Sequence, residues 1–489
     1  VAVVAERAAP ADCKIPWVRV GDSRKALGLL AARWHDDPSA DFPVIGVTGT
    51  NGKTTTSFFI QHLLTARQWR CGLLGTVRVH DGRGFRPATH TTPGALELQG
   101  LLADMRDNGC HAVVMETSSH GLEQRRVAGV SYAVGVFTNL TQDHLDYHGD
   151  EETYFQAKRL LFESMAAEGS EGVAVINIDD RRGQQLAEEF AGRLKVLTFG
   201  FGEEADLRAS LPRQQSSGQE FTLDYKSRSY LVRLPFIGRF NVSNALAALG
   251  SVLALGMPVR EAVKALAGAP QTPGRMEFVG ADRMAVYVDY AHTPDAVEKA
   301  CETVRELNPR RLITVFGCGG DRDKGKRPLM GAAAARHSDV LIVTSDNPRS
   351  EEPAAILADI EAGLEGVEYE LIEKRAEAIQ RAVELIEPGD VVLIAGKGHE
   401  DYQEIKGERF HFNDREEARK AISKRVVAEG KFDEVGPSSR GERGERGERR
   451  ERGERGERGE RRDSGERGER RERGNRGEGR ERGGREDLE

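Results

Sequence analysis

PVIGVTGTNGKTTTSFF, running from Pro43 to Phe59, is the stretch on which the fold turns. A short β-branched run at Val44 and Ile45 empties into glycines, and an apolar run follows three threonines. That order reads strand, loop, helix. Backbone N–H groups of such a loop and of the helix start form a site for anions. Lys53 adds a cation for the outer phosphates, and the hydroxyl of Thr54 or Thr55 suits Mg²⁺. The spacing departs from GxxxxGK[ST], because the first glycine position holds Val47, with Gly46 and Gly49 on either side. Gly49, Thr50, Asn51, Gly52, Lys53, Thr54 and Thr55 are the expected phosphate-binding set, and a nucleoside triphosphate is the expected ligand. This loop alone does not separate a kinase from a GTPase or a ligase.

Outward from the loop, short β-branched runs alternate with helix-length amphipathic segments between Asp41 and Arg415. The expected buried strands are HAVVME (111–116), YAVGVFTN (132–139), VAVIN (173–177), MAVYVDY (284–290), RLITVFG (311–317), DVLIVTSD (339–346) and DVVLIAG (390–396). Such alternation predicts α/β architecture with doubly wound parallel sheets, whose ligands collect at the carboxyl ends of the strands. Several of these strands do run into polar clusters: ETSSH, TNLTQDH, DYAHTPD, GCGGDRD, SDNPR and AGKGHE. A boundary is expected near GAPQTPGRME (268–277), where prolines and glycines follow the helical stretch NVSNALAALGSVLALG.

The whole chain of 489 residues carries a net charge of −8, which provides no basic field for nucleic acid. Nothing in it approaches the roughly 20 apolar residues of a membrane span, and the opening residues show no secretory leader pattern. Five scattered cysteines without a CxxC read as reduced thiols. The chain opens on Val1 rather than Met, which reads as the start of a fragment. From about Pro437 it is almost entirely Arg, Gly and Glu. That composition cannot bury apolar surface and predicts a disordered polyampholyte tail. Its glycine period breaks repeatedly and no proline follows Pro437, against a collagen helix, and its glutamates offset most of the arginine charge, against RNA binding.

TGTNGKTTT resembles the Mur ligases when taken with TTPGALELQ, METSSHGLEQRR, TNLTQDHLDYHG, YFQAKRLLF, GRFNVSNALAA, GRME, DYAHTPDA, GCGGDRDKGKRPLMG, DNPR and GKGHEDYQ. These are ATP-dependent amide-forming enzymes of peptidoglycan precursor synthesis. The resemblance runs from about Ile15 to about Lys424, and it is nearest to the members that add 2,6-diaminopimelate. It implies a central P-loop-type doubly wound ATP-binding domain at 43–270. A Rossmann-like amino-acid-binding domain follows at 271–436, then the disordered tail at 437–489. Residues 1–42 resemble only the exit of the family's N-terminal UDP-binding domain, so they are expected to be its remnant, without counterparts of the uracil-binding residues.

The implied reaction joins meso-diaminopimelate to the D-Glu γ-carboxylate of UDP-MurNAc-L-Ala-D-Glu through an acyl phosphate. ATP, Mg²⁺ and CO₂ are the implied cofactors. The small-molecule substrates are the implied partners, with no nucleic acid and no membrane insertion, in a cytoplasmic monomer. Lys53, Lys158 and His144 are the implied catalytic residues. Thr54, Glu116, His144 and Lys158 as a carbamate are the implied metal ligands. His144 and His148 lie four apart, but the loop context without cysteine speaks against zinc, and His148 reads as structural. Thr91, Thr92, Ser118, Gln124 and Arg126 match positions for the UDP-muramoyl dipeptide. Asn244, Arg275, Asp289 and His292, read as belonging to the second α/β unit, match positions around ATP. Arg322, Asp346, Asn347, Pro348, Arg349, Gly396 and Glu400 match the diaminopimelate contacts. Glu400 and Asp346 suit its distal ammonium, and the planar fork of Arg349 or Arg322 suits its distal carboxylate, which lysine lacks.

Overall fold

The computed structural model of the chain describes residues 1–428 apart from 142–144, 168, 170, 216–217 and 282–283. The tail expected at 437–489 lies outside the described residues. In chain order the strands up to the expected boundary are β1 (Val3–Ala5), β2 (Trp17–Arg19), β3 (Val44–Thr48), β4 (Cys71–Leu74), β5 (Arg78–His80), β6 (Phe85–Pro87) and β7 (Ala112–Glu116). They continue as β8 (Val134–Phe137), β9 (Val173–Asn177), β10 (Lys195–Gly200), β11 (Leu207–Gln215), β12 (Gly218–Tyr225) and β13 (Arg228–Leu234). Between them run α1 (Ser23–Trp34), α2 (Lys53–Ala66), α3 (Ala95–Asp107), α4 (Ser119–Glu123), α5 (Leu145–His148), α6 (Glu151–Ala167) and α7 (Arg181–Phe190), followed by α8 (Arg239–Ala254) and α9 (Val259–Leu266).

β3 to β13 form one eleven-stranded sheet in the order β13-β12-β11-β10-β9-β8-β3-β7-β4-β5-β6. Its centre is parallel, as the fully apolar runs demand, since such strands are buried on both faces. Both wings are antiparallel: β11, β12 and β13 at one end, and β4, β5 and β6 at the other. The parallel centre agrees with the expected doubly wound α/β architecture, and the antiparallel wings extend it at both ends. The wing strands are half-buried, with exposed charges such as Arg228 and Arg233 alternating with apolar residues, a weaker signal than the unbroken apolar runs.

On one face α2, α8 and α9 close a core that includes Ile45, Phe59, Val114, Val136 and Leu246. On the other, Leu98 of α3, Leu161 of α6 and Leu186 of α7 join a second core beside Met115 and Phe137. Phe59 meets Phe236 edge to face with ring centroids 4.7 Å apart.

The remaining strands are β14 (Glu277–Phe278), β15 (Ala285–Asp289), β16 (Leu312–Phe316), β17 (Val340–Val343), β18 (Glu370–Leu371), β19 (Val391–Ala395), β20 (Tyr402–Ile405) and β21 (Glu408–His411). The helices are α10 (Pro294–Arg305), α11 (Lys326–His337), α12 (Pro353–Glu361), α13 (Arg375–Glu384) and α14 (Asp414–Ala428). The second sheet has the order β14-β15-β19-β16-β17-β18, parallel except for β14. Helices α10, α11 and α12 cover one face and α13 and α14 the other. Asn244 is placed by α8 on the first sheet, packed against α2, not in the second unit as expected. α8 carries the apolar pattern of the first core, and α9 extends that core to Leu266, just before the boundary.

Truncating Phe59 to Ala should cost about 3–5 kcal/mol of stability, since it leaves a cavity between α2 and the sheet. Urea unfolding of the variant checks this, and a midpoint equal to wild type would show that the ring carries no such load.

Candidate active site

Strand register assembles the centre. β3 lies between β7 and β8, with Val47 opposite Glu116 and Thr48 opposite Phe137. Glu116 and Thr138 therefore flank the loop that leaves β3. Gly49 sits at φ +145° and Gly52 at φ +86°, where side chains are disfavoured. A Cβ at Gly49 would run into Thr138 Oγ1, and one at Gly52 into Asn244 Oδ1.

The segment after β8 pins this loop. Thr138 Oγ1 donates to the Asn51 carbonyl at 2.6 Å, and Asn139 Nδ2 donates to it at 3.1 Å. The Thr50 N–H donates to the Asn139 carbonyl and the Asn51 N–H to Asn139 Oδ1, each at 2.9 Å. These two loop amides are thus engaged within the protein. The start of α2 is open to an anion. There no side chain caps the helix, and Lys53, Thr54 and Thr55 open it.

Two ammonium groups converge on this spot. Lys53 Nζ donates to the Gly49 carbonyl at 2.9 Å and to the Thr50 carbonyl at 2.8 Å. Lys158, carried in by α6, donates to the same Gly49 carbonyl at 2.8 Å and lies 4.0 Å from the centroid of the Tyr154 ring. Lys158 is only 1% exposed. Glu116, also 1% exposed, accepts from the Thr76 N–H at Oε1 and from Thr76 Oγ1 at Oε2, both at 2.9 Å. A buried carboxylate held by a neutral donor beside Thr54 fits a hard divalent cation. His144 lies outside the described residues. His148 is buried, with Nε2 3.0 Å from Ser119 Oγ.

The dipeptide set forms one network. Thr76 Oγ1 is 3.0 Å from Thr91 Oγ1. Thr92 Oγ1 donates to the Glu116 carbonyl at 2.9 Å and accepts from the Ser118 N–H at 3.0 Å. Arg126 donates to the Thr92 carbonyl and, through Nε and Nη2, to Gln124 Oε1. The arginine is therefore oriented by the loop that carries the two threonines.

A cavity of about 780 Å³ joins these groups to the second sheet. Thr50 to Thr55, Thr91, Thr92, Glu116, Ser118, Arg126, Lys158 and Asn244 line it from one side, and Arg275, Asp289 and His292 from the other. Gln124 is absent from that lining and bears on it through Arg126. Asp289 accepts from the N–H groups of Met276 and Ala291 at 2.7 and 2.9 Å, and its burial pushes the carboxyl above the usual carboxylate range. Arg275 stacks over Tyr290 at 4.8 Å, and its buried Nε has no hydrogen-bond partner among the described residues.

The diaminopimelate set forms a separate cluster at the carboxyl ends of β16, β17 and β19, outside that lining. Arg349 holds φ +52° because its N–H donates to the Glu404 carbonyl and its own carbonyl accepts from Lys406. Its Nη1 donates to the Gly320 carbonyl at 2.7 Å. A Cβ on Gly319 would come 2.8 Å from that Nη1 and 3.9 Å from Arg322 Cγ, so the two arginines flank one glycine. Pro348 leads into this turn. Gly396 at φ +121° faces Asp346, where a Cβ would come 2.6 Å from Oδ2.

Asp346 and Glu400, expected to suit the distal ammonium, both meet the buried Lys397. Sequence reading overlooked Lys397, although it stands inside GKGHE. It also overlooked the pair that props the glycine loop. Buried Arg327 grips Glu351 at 2.7 Å and holds its carboxyl down to about 2, while Glu351 accepts from the Asp321 N–H.

Tyr290 and His399, with ring centroids 4.9 Å apart, connect the two clusters. Gly274 packs directly on Gly398 and His399, with no room for a Cβ on the linker.

A phosphate-type loop at the mouth of one sheet, facing a charged cleft on a second, defines a nucleotide-dependent group-transfer enzyme built from two α/β units. Comparison with known families refines this. Residues 47–252 match the Mur ligase middle domain, and 274–398 the Mur ligase glutamate ligase domain. The chain is 46% identical over 429 residues to the UDP-N-acetylmuramoyl-L-alanyl-D-glutamate–2,6-diaminopimelate ligase of Thermosynechococcus vestitus, covering 87% of this chain and 86% of that one. It is 47% identical over 426 residues to the protein of the same name from Gloeobacter violaceus, covering 86% of each. A solved structure bearing that name superposes with a TM-score of 0.66 at 38% identity, covering 87% of each chain. The chain belongs to the Mur ligase family, the ATP-dependent, ADP-forming ligases that make C–N bonds.

His399 yields a pH signature. Burial first, then the nearby Arg275 and Arg415, pull its imidazole from 6.5 down to about 4. Between these values the unfolded chain binds a proton that the folded chain refuses, so stability is lost as pH falls through that window. His399→Gln should flatten the melting temperature against pH between about 6.5 and 4, and a slope identical to wild type would contradict this.

Proposed function

We propose that this enzyme joins meso-2,6-diaminopimelate to the γ-carboxylate of the D-Glu residue of UDP-MurNAc-L-Ala-D-Glu, with ATP converted to ADP and phosphate, in peptidoglycan precursor synthesis. The convergence of Lys53 and Lys158 on the Gly49 carbonyl, in the cavity that holds Thr92, Ser118 and Arg126, carries this reading. It draws its substrates from the relatives' names.

In the first half-reaction a carboxylate oxygen bonds to the γ-phosphorus of ATP as the bond to ADP breaks. Lys53 and the open start of α2 hold the phosphates in line and offset their charge. Arg126, oriented by Thr92 and Gln124, serves the acidic end of the second substrate. Mg²⁺, held by Thr54 and Glu116 with His144 and a carbamate on Lys158, would screen the charge on the phosphoryl oxygens. In the second half-reaction the amine bonds to the acyl carbon, the C–O bond to phosphate breaks, and the amine sheds its protons. Arg275, just past the boundary, then bears on the nucleotide, and closure around it would keep water from the acyl phosphate.

The carbamate forms when neutral Lys158 Nζ adds to CO₂ with loss of a proton. Two cations beside one carbonyl oxygen repel each other, and converting one to an anion turns that repulsion into attraction. In this reading 43–270 bind ATP and 271–436 the amino acid. The reading also carries a monomeric, cytoplasmic enzyme. No helix among the described residues is long and apolar enough to cross a membrane.

Phosphate release from ATP with UDP-MurNAc-L-Ala-D-Glu, measured with and without meso-diaminopimelate, tests the reading. Release should depend on the amino acid, and equal release without it would sink the ligase assignment. Lys158→Ala should lower turnover by about 10²–10³-fold, and added formate or acetate should restore part of it. Full activity of the unrescued variant would remove Lys158 from the mechanism.

A further inference from the structure

Lys397 lies two residues past the end of β19 and is fully buried. Its ammonium donates to Asn347 Oδ1 at 2.9 Å and to Glu400 Oε2 at 3.2 Å, and it lies 3.5 Å from Asp346 Oδ1. Asn347 Nδ2 donates to the same Glu400 oxygen at 2.7 Å, and Asn347 Oδ1 also accepts from the Glu404 N–H at 3.0 Å. Lys397 is therefore the hub that fixes an amide and two acids relative to one another. Among the described residues Glu400 Oε1 makes no hydrogen bond within the protein, which leaves it for a ligand.

The charge count matters as much as the geometry. The buried Arg375 beside this hub is matched by Asp414 at 2.7 Å and adds no net charge. Asp346 and Glu400 against Lys397 leave one net negative charge. That suits one ammonium. Removing Lys397 would leave two, and the second would repel a carboxylate on the same end of the ligand.

We propose that Lys397 is a positioning residue that sets this pocket to one net negative charge, so that it selects an amino acid whose far end carries both an ammonium and a carboxylate over one ending in an ammonium alone. The inference rests on the diaminopimelate reading above. Arg349 and Arg322, flanking Gly319, supply the counter-charge for the carboxylate. Lys397 keeps the acids from competing with that carboxylate for the arginines.

The test uses the full chain with meso-diaminopimelate, lysine and ATP as variable substrates. Lys397→Met should raise KM for diaminopimelate by about 10²-fold, leave KM for ATP within about threefold, and lower the diaminopimelate-to-lysine ratio of kcat/KM by about tenfold or more. In the double variant Lys397→Met/Glu400→Gln the single net charge returns, and the ratio should come back to within about threefold of wild type. That variant carries the test alone should Lys397→Met fail to fold, and a ratio lower than this overturns the proposal. An unchanged ratio in a folded Lys397→Met overturns it, as do KM values for ATP and diaminopimelate that rise together. Wild type that uses no diaminopimelate would instead sink the underlying reading, which the amino-acid dependence of its phosphate release reveals separately.

Discussion

Two lysine ammonium groups share the carbonyl oxygen of Gly49, and much of the first sheet serves to bring them there. Lys53 arrives because a helix starts directly after the glycine loop, and Lys158 because α6 crosses the opposite face and buries its side chain beneath that loop. Concentrated positive charge around a buried lysine draws an anion toward it. The loop that gathers this charge is held rigid. Thr138 and Asn139 hold the Asn51 carbonyl and two loop amides, and neither Gly49 nor Gly52 could carry a side chain without collision. A rigid, cation-rich mouth beside the buried Glu116 is prearranged for a polyphosphate with its metal, with little reorganisation left for the moment of reaction.

The second sheet answers a different need. Its strand ends hold a cluster in which nearly every charge has a partner: Lys397 among Asp346, Asn347 and Glu400, Arg375 with Asp414, and Arg327 with Glu351. Such networks specify geometry more than they add stability, because the desolvation of each ion offsets most of the attraction. The two clusters meet where Gly274 lies against Gly398 and His399, and where the Tyr290 ring touches both Arg275 and His399. A shift in the Lys397–Glu400 loop would therefore be felt at Arg275, which lines the large cavity. This joint gives a physical route by which the two halves of the site can act together.

Much of this was legible from sequence, and the reason is local. Unbroken apolar runs such as Val44–Thr48 and Val391–Ala395 announce buried parallel strands, and polar clusters at their ends announce where ligands gather. Glycines next to Lys53 announce a loop that must come close to something. The antiparallel wings were less visible, because half-buried strands with exposed charges resemble loops. The assignment of Asn244 to the second unit failed for a related reason. A helix next to a boundary belongs to whichever core its apolar face reaches, and that face is defined only once the sheets exist.

By itself, then, the amino-acid order determined the alternating elements, the phosphate-type loop and the family to which the chain belongs. These rest on interactions between near neighbours along the chain. Tertiary structure alone decided that Lys53 and Lys158 would share one acceptor, that the loop amides of Thr50 and Asn51 would be spent on Asn139, and that Asp346 would already be facing Lys397. Each of these depends on strand register and helix placement across separations of tens to more than a hundred residues. Electrostatic partnership falls off over a few ångströms, so no reading along the chain can tell which charges will stand within reach of one another.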